Sequence, residues 1–192
     1  NFGEWCRGGS RIYFATSEDY GYTWSEPRHI KVDIPVLGKN KGIVLRNGSI
    51  LLPVTYEPTS PDVIPPTGVL ISEDGGITWQ RYGDIRAEDD CWVLQGTCVE
   101  NEDGSILMLL RSTGGRIYMT RLKDGNLVLA FNNQEDKALR TPLNSALSDD
   151  NGKTWPWIIT LEDDEGEYSY PAIIQDSEGL IHVTYTYLRT HI

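Results

Sequence analysis

An all-β protein built from a repeated hairpin unit follows from three features of this 192-residue chain. An eight-residue pattern, S-x-D-x-G-x-T-W, occurs three times, at residues 17–24, 72–79 and 148–155. Four further stretches place a turn glycine directly before an apolar run, at Gly48, Gly104, Gly125 and Gly179. Ten Tyr and six Trp accompany these turns, and no long stretch shows the 3.6-residue period of a helix.

Each element has a chemical reason. In the eight-residue pattern the Asp carboxylate accepts hydrogen bonds from nearby backbone N–H groups, and the Gly adopts positive φ. The Thr and Trp begin the next strand, where a large aromatic can bury against a neighbouring sheet. Three matches over eight positions make this an internal repeat. The Asn47-Gly48, Asp103-Gly104 and Asp124-Gly125 pairs between apolar runs are strong hairpin signals. That reading also accounts for the glycosylation-type sequence Asn47-Gly48-Ser49. The apolar runs suit strands buried on both faces.

The spacing carries further information. Gly48 to Gly104 spans 56 positions, Gly125 to Gly179 spans 54, and Trp24 to Trp79 spans 55. Gly104 to Gly125 spans only 21, about 34 short of one repeat, and Trp79 to Trp155 spans 76, about 34 short of two. One segment with one box is therefore missing. The strand-like stretch Gly115-Arg116-Ile117-Tyr118-Met119-Thr120 mirrors the lead-in to the first box at residues 10–16, so the break is expected between Thr120 and Arg121. There the chain would show either a wide separation or a sheet without its outer strands.

Composition bounds the partners. A formal charge of −11 argues against nucleic acid or an acidic membrane surface. No apolar run is long enough to cross a membrane, and no signal peptide opens the chain, as would also hold for a mature secreted protein. Three cysteines make no disulfide framework; a Cys91–Cys98 bridge is open, and buried free thiols are the preferred reading. His29, His182 and His191 lack metal-ligand spacing, and His182, in an apolar strand, reads as a packed core residue. No cofactor is expected. Arg7 and Arg11 match no motif and read as surface charges.

Seven residues after the hairpin glycines stand Thr55, Arg111, Asn132 and Thr186, followed by Tyr56, Ser112, Asn133 and Tyr187. Polar residues recurring at equivalent strand ends suit a binding face, and an arginine there needs a partner.

The eight-residue pattern resembles the Asp box of sialidases and their relatives. The resemblance implies a β-propeller of sialidase type, six-bladed in the family, with the boxes away from the catalytic face. Residues 1–192 would then form a single domain lacking the first blade and part of a middle blade. Arg111, closing Asp103-Gly104-Ser105-Ile106-Leu107-Met108-Leu109-Leu110, is similar to a family arginine that holds the sugar carboxylate, and Arg140 to another upstream of a late box. Tyr168, in the Tyr168-Ser169 pair, fits the slot of the catalytic tyrosine. The resemblance thus implies an exo-acting glycoside hydrolase that releases a terminal sialic acid or similar acidic sugar with retention. Its partner would be a sialylated or otherwise acidic glycan.

Guanidinium forks bind a carboxylate bidentately, and a neutral phenol approaches an anionic sugar where a carboxylate would be repelled. Two departures matter. Gln95 stands where the activating glutamate aligns, and Gln is no base. The first family arginine and the aspartate acid belong to a blade ahead of the first box. Gln95, Asn132 and Tyr56 are expected to line the sugar site with the arginines. A glycan-binding propeller that keeps the arginines without hydrolysis is the alternative, and a scaffold built only for interaction is a third.

Overall fold

A computed structural model describes residues 10–57, 64–88, 92–112, 117–134 and 140–192. Among these residues there are fifteen strands and no helix, so the chain is all-β as expected. It divides into two compact units, Asn1–Gln95 and Gly96–Ile192.

In the first unit β1 (Tyr13–Phe14) and β2 (Arg28–His29) form a two-stranded antiparallel sheet. A second sheet runs β3 (Val36–Gly38), β5 (Ile50–Tyr56), β6 (Thr67–Ser72), β7 (Gln80–Ile85), with β4 (Ile43–Val44) also pairing β5. Val54, Tyr56, Leu70 and Trp79 of the larger sheet pack with Ile30, Ile12 and Phe14 into one core.

The second unit contains β9 (Ile106–Arg111), paired with β8 (Leu94–Glu100), whose first two residues belong to the first unit. Next come β10 (Ile117–Arg121), β11 (Leu127–Asn132), β12 (Leu143–Ser148) and β13 (Trp157–Glu162), a four-stranded antiparallel sheet in that order. The pair β14 (Tyr168–Gln175) and β15 (Ile181–Tyr187) follows. Alternation along these strands explains the unbroken apolar runs. Met119, Leu127, Leu129 and Ala146 face Val99, Leu107 and Leu109. Their neighbours Tyr118, Val128, Ala130 and Leu147 face Ile173 and Val183 on the other side. The sheet is apolar on both faces because both are covered.

All three boxes close outer hairpins at equivalent places: β1 to β2, β6 to β7 and β12 to β13. The Ser and Thr bonds to the Asp carboxylate repeat atom for atom. Asp150 Oδ1 accepts from the Ser148 hydroxyl (2.8 Å) and the Lys153 and Thr154 N–H groups (3.0 and 2.9 Å). Its Oδ2 accepts from the Thr154 hydroxyl at 2.6 Å. Asp74 and Asp19 receive the matching Thr and Ser bonds. The box glycine has a second duty besides positive φ. At Gly76 (φ +84°) a Cβ would collide with the Phe14 ring of β1, and at Gly152 (φ +81°) it would meet Leu107 of β9 at 2.5 Å. The second and third boxes thus press backbone onto the preceding sheet, and Trp79 follows with an edge contact to Phe14, centroids 5.7 Å apart. Trp24 of the first box is 65% exposed.

Two expectations change, and the preferred reading of the cysteines holds for Cys98. Thr120 and Arg121 lie in one continuous strand, β10, of a complete four-stranded sheet, so the chain is not broken there. The shortened sheet is the preceding one: β8–β9 has two strands and no box, and the stretch at Ile117 opens the next sheet. Side-chain pattern decides this, because Met119 must pack beside Leu127 and Leu129, and its N–H and C=O both bond the Thr97 hydroxyl at 3.1 Å. His182 is exposed and hydrogen-bonded to Asp176 (Nε2–Oδ2, 2.7 Å) instead of packed in the core. Cys98 is a buried free thiol, pushed up to about 12 by burial, while Cys91 lies outside the described residues.

The Asp150 carboxyl is held at about 2, below its ordinary 3.8, first by the Thr154 hydroxyl and then by the Thr154 N–H. A depressed carboxyl stabilises the fold above its unfolded pKa and loses that contribution as pH falls through the folded value. Asp150→Asn is therefore expected to lower the denaturant midpoint at pH 7 and to flatten the stability profile between about pH 4 and about pH 2. Circular dichroism along an acid series reads both; a variant with the parent's acid profile would show that the box charge does not stabilise the fold.

Candidate functional site

The end of the four-stranded sheet away from its box holds the candidate site. In the register of β11 with β12, Leu127 faces Ser148 at the box end and Asn132 faces Leu143 at the other. Asn132 is buried there, and its Nδ2 donates to the main-chain carbonyls of Arg140 (2.8 Å), Pro142 (3.3 Å) and Tyr168 (2.9 Å). The Tyr168 N–H donates to the Arg140 carbonyl at 3.2 Å, and Arg140 bridges to Glu167 in parallel pairing. One buried amide therefore ties together the backbones that carry Arg140 and Tyr168, which lie 28 positions apart in sequence.

Glu167 is the electrostatic centre of this knot. Its Oε2 accepts from Arg189 Nε at 2.5 Å and its Oε1 from the Ser169 hydroxyl at 3.1 Å. Its carboxyl is held below the ordinary range chiefly by the Arg189 bond, with the Arg140 charge contributing and burial opposing. Arg189 sits in a turn in which Leu188 and Arg189 both take left-handed backbone, φ 51° and 56°. The turn is closed by Tyr187 N–H to the His191 carbonyl at 2.8 Å. Two consecutive non-glycine residues in that region are costly and signal a locally enforced geometry. Sequence reading missed Arg189, because its pairing with Glu167 is purely tertiary.

Tyr168 is fully buried, with the rings of Tyr187 and Tyr185 at 5.4 and 6.5 Å and Gly166 against its hydroxyl. Burial first, then the neighbouring Tyr187, Glu162 and Asp164, push its pKa up. Beside it, the Tyr185 hydroxyl donates to Glu162 Oε1 at 2.5 Å, which pushes Tyr185 up to about 12. This tyrosine–carboxylate pair was not foreseen either.

The remaining expected residues are placed differently. Arg111 closes β9, and its Nη1 donates to the Ser112 carbonyl at 3.0 Å. Tyr56, expected to contact sugar, is fully buried in the first unit. Its hydroxyl donates to the Tyr82 and Gly83 carbonyls (3.0 and 2.7 Å), and Arg81 lies 4.9 Å over its ring. It is a core side chain because β5 carries it inward against β7. Gln95 takes left-handed backbone (φ 51°), its N–H on Thr55 Oγ1 (3.0 Å) and its carbonyl on Asn40 Nδ2 (2.7 Å). Next to Tyr56, the Glu57 carboxylate is 3% exposed with neither oxygen hydrogen-bonded among the described residues. Those residues include no cluster suited to a metal ion.

The Asn132 clamp gives a direct test. Asn132→Ala leaves buried carbonyls without a donor and is expected to cost about 1–3 kcal/mol in denaturant unfolding. Asn132→Asp, which sets a carboxylate against the same carbonyls, is expected to cost more. A neutral Asn132→Ala would remove the amide from its clamping role.

Comparison with known proteins places this geometry. The model of the BNR repeat-like domain matches residues 1–121 and 115–183. A sialidase of Bacteroides fragilis is 24% identical over 113 residues, which are 55% of this chain and 20% of that protein. Among solved structures, a NanB sialidase of Streptococcus pneumoniae superposes with TM-score 0.68 at 16% identity, over 92% of this chain and 32% of its own. The intramolecular trans-sialidase of Ruminococcus gnavus gives 0.68 at 15% identity, over 92% and 46%. The chain thus spans a fifth to less than half of the length of these relatives, and the likeness establishes the sialidase β-propeller fold. With boxes on equivalent outer hairpins and the domain model covering most of its length, the chain belongs to the BNR repeat-like family.

Proposed function

We propose that the chain carries part of the active site of an exo-acting glycoside hydrolase that releases a terminal sialic acid or similar acidic sugar from glycans. The observation that supports this reading is the meeting of Arg140 and Tyr168 at the buried Asn132 amide, on the sheet end opposite the box. Arg140 would hold the sugar carboxylate in charge-assisted hydrogen bonds, with Glu167 fixing its position and Arg111 as a second guanidinium. Asn132 acts through the backbone as a positioning residue. The trans-sialidase of Ruminococcus gnavus was solved with oseltamivir carboxylate, which agrees with a carboxylate-bearing ligand.

In the retaining step the Tyr168 phenol gives its proton to a base while its oxygen bonds to the anomeric carbon. The glycosidic oxygen leaves with a proton, and water then releases the sugar. The burial of Tyr168 and its raised pKa favour a second reading, a glycan-binding propeller without turnover. Gln95 at the base position favours it too.

Two substitutions separate these readings. Arg140→Ala is expected to weaken binding of an acidic sugar by roughly 1.5–3 kcal/mol, about 10- to 100-fold, under either reading. Tyr168→Phe removes only the oxygen that attacks. In the hydrolase, release of the chromophore from an aryl sialoside collapses while affinity for a carboxylate inhibitor holds. In the binder there is no release to lose. Parent protein, assayed in its longest native form, that binds sialic acid and frees none from any sialoside would end the hydrolase reading.

A further inference from the structure

The first hairpin carries a cationic face that the sugar site does not use. β1 and β2 pair Tyr13 with His29 and Phe14 with Arg28, and the Ile30 N–H donates to the Ile12 carbonyl at 2.9 Å. The same register sets Arg11 opposite Lys31. Ile12, Phe14 and Ile30 turn toward the core, so Arg11, Tyr13, His29 and Lys31 share the other face. Like charges directly across an antiparallel pair repel. In a chain with 28 acidic and 17 basic residues, that repulsion would ordinarily be relieved by a carboxylate. Among the described residues neither Arg11 nor Lys31 has an ion pair, and the nearby Asp33 is engaged by Arg81 Nε at 3.2 Å.

Arg11, His29 and Lys31 line a cleft of about 310 Å³ together with Ser10, Val32 and Pro35. The His29 ring packs against Tyr13, centroids 5.3 Å apart, which limits where the imidazole can go. We propose that this cleft binds a small oxyanion, sulfate or carboxylate, between Arg11 and Lys31, with His29 as a further donor. The ligand would neutralise the cross-strand repulsion and receive a guanidinium fork, an ammonium and an imidazole N–H. The oxyanion is either free or carried on a sugar. Because the cleft lies in the first unit and the Asn132 knot in the second, the two sites are separable by mutation.

Titration of the whole 192-residue chain with sodium sulfate, at ionic strength held constant with chloride, tests this by ¹H–¹⁵N correlation spectra. Saturable shifts are expected at the amides of residues 10–12 and 29–32. Arg11→Gln and Lys31→Gln should each raise the half-saturating concentration about tenfold. The double variant should lose the response, and Arg140→Ala should keep it. Sodium glucuronate in place of sulfate distinguishes the sources: tighter binding than sulfate assigns a sugar-borne oxyanion, and equal or weaker binding a free one. Shifts that stay linear in sulfate, or that persist in the double variant, would overturn the site. Both variants alter exposed side chains, and an unchanged far-ultraviolet spectrum shows that they fold. Loss of sialoside binding through Arg140→Ala with sulfate binding intact separates failure of one site from failure of the other.

Discussion

Each outer hairpin is organised by one carboxylate. In all three boxes Asp Oδ1 gathers the Ser hydroxyl and the Thr N–H, and Asp Oδ2 takes the Thr hydroxyl. With its local donors satisfied, the turn can be pushed hard against a neighbour. The glycine then lets backbone touch Phe14 in one case and Leu107 in another, where any Cβ would intrude. The indole that follows packs on the same neighbour. In the second and third boxes the turn therefore stacks one sheet on the sheet before it, within the cores of each unit.

Stacking sets what the far end of a sheet can do. The end of the sheet opposite the box is where β11, Arg140 and β14 meet. The Asn132 amide donates to the carbonyls of Arg140, Pro142 and Tyr168 at a buried strand end, where irregular backbone needs partners. Rigidity there comes from the same bonds that solve the burial problem. Glu167 adds charge to that frame by drawing Arg189 in from a left-handed turn.

The tyrosines show how burial divides similar residues. Tyr56 and Tyr168 each begin or end a strand beside the expected binding positions, and both are enclosed. Tyr56 answers its hydroxyl with two carbonyls of β7, which fixes it as core. Tyr168 lies among tyrosines and beneath Gly166, with its ionisation opposed by burial. Tyr185, two residues before Tyr187, is the one whose hydroxyl reaches a carboxylate.

The sequence by itself determined the strands, the box turns and their equivalence, because those are local events: Asp74 reaches Thr78, and Gly48 turns between Asn47 and Ser49, within a few residues. The repeat also marked the strand end where Asn132 stands, since it puts like positions at like places, whereas Arg140 and Tyr168 were expected only from the resemblance to the Asp-box family. It placed the shortened sheet one strand late, because the Ile117 stretch matches a lead-in to a box equally well as the opening strand of the next sheet. Only packing of Met119 beside Leu127 and Leu129 resolves that choice. The tertiary structure alone decided that Tyr56 is core, that His182 is exposed beside Asp176, and that Arg189 faces Glu167. These depend on which face a strand presents and on side-chain contacts between separate stretches, quantities that a period of two along one strand does not carry.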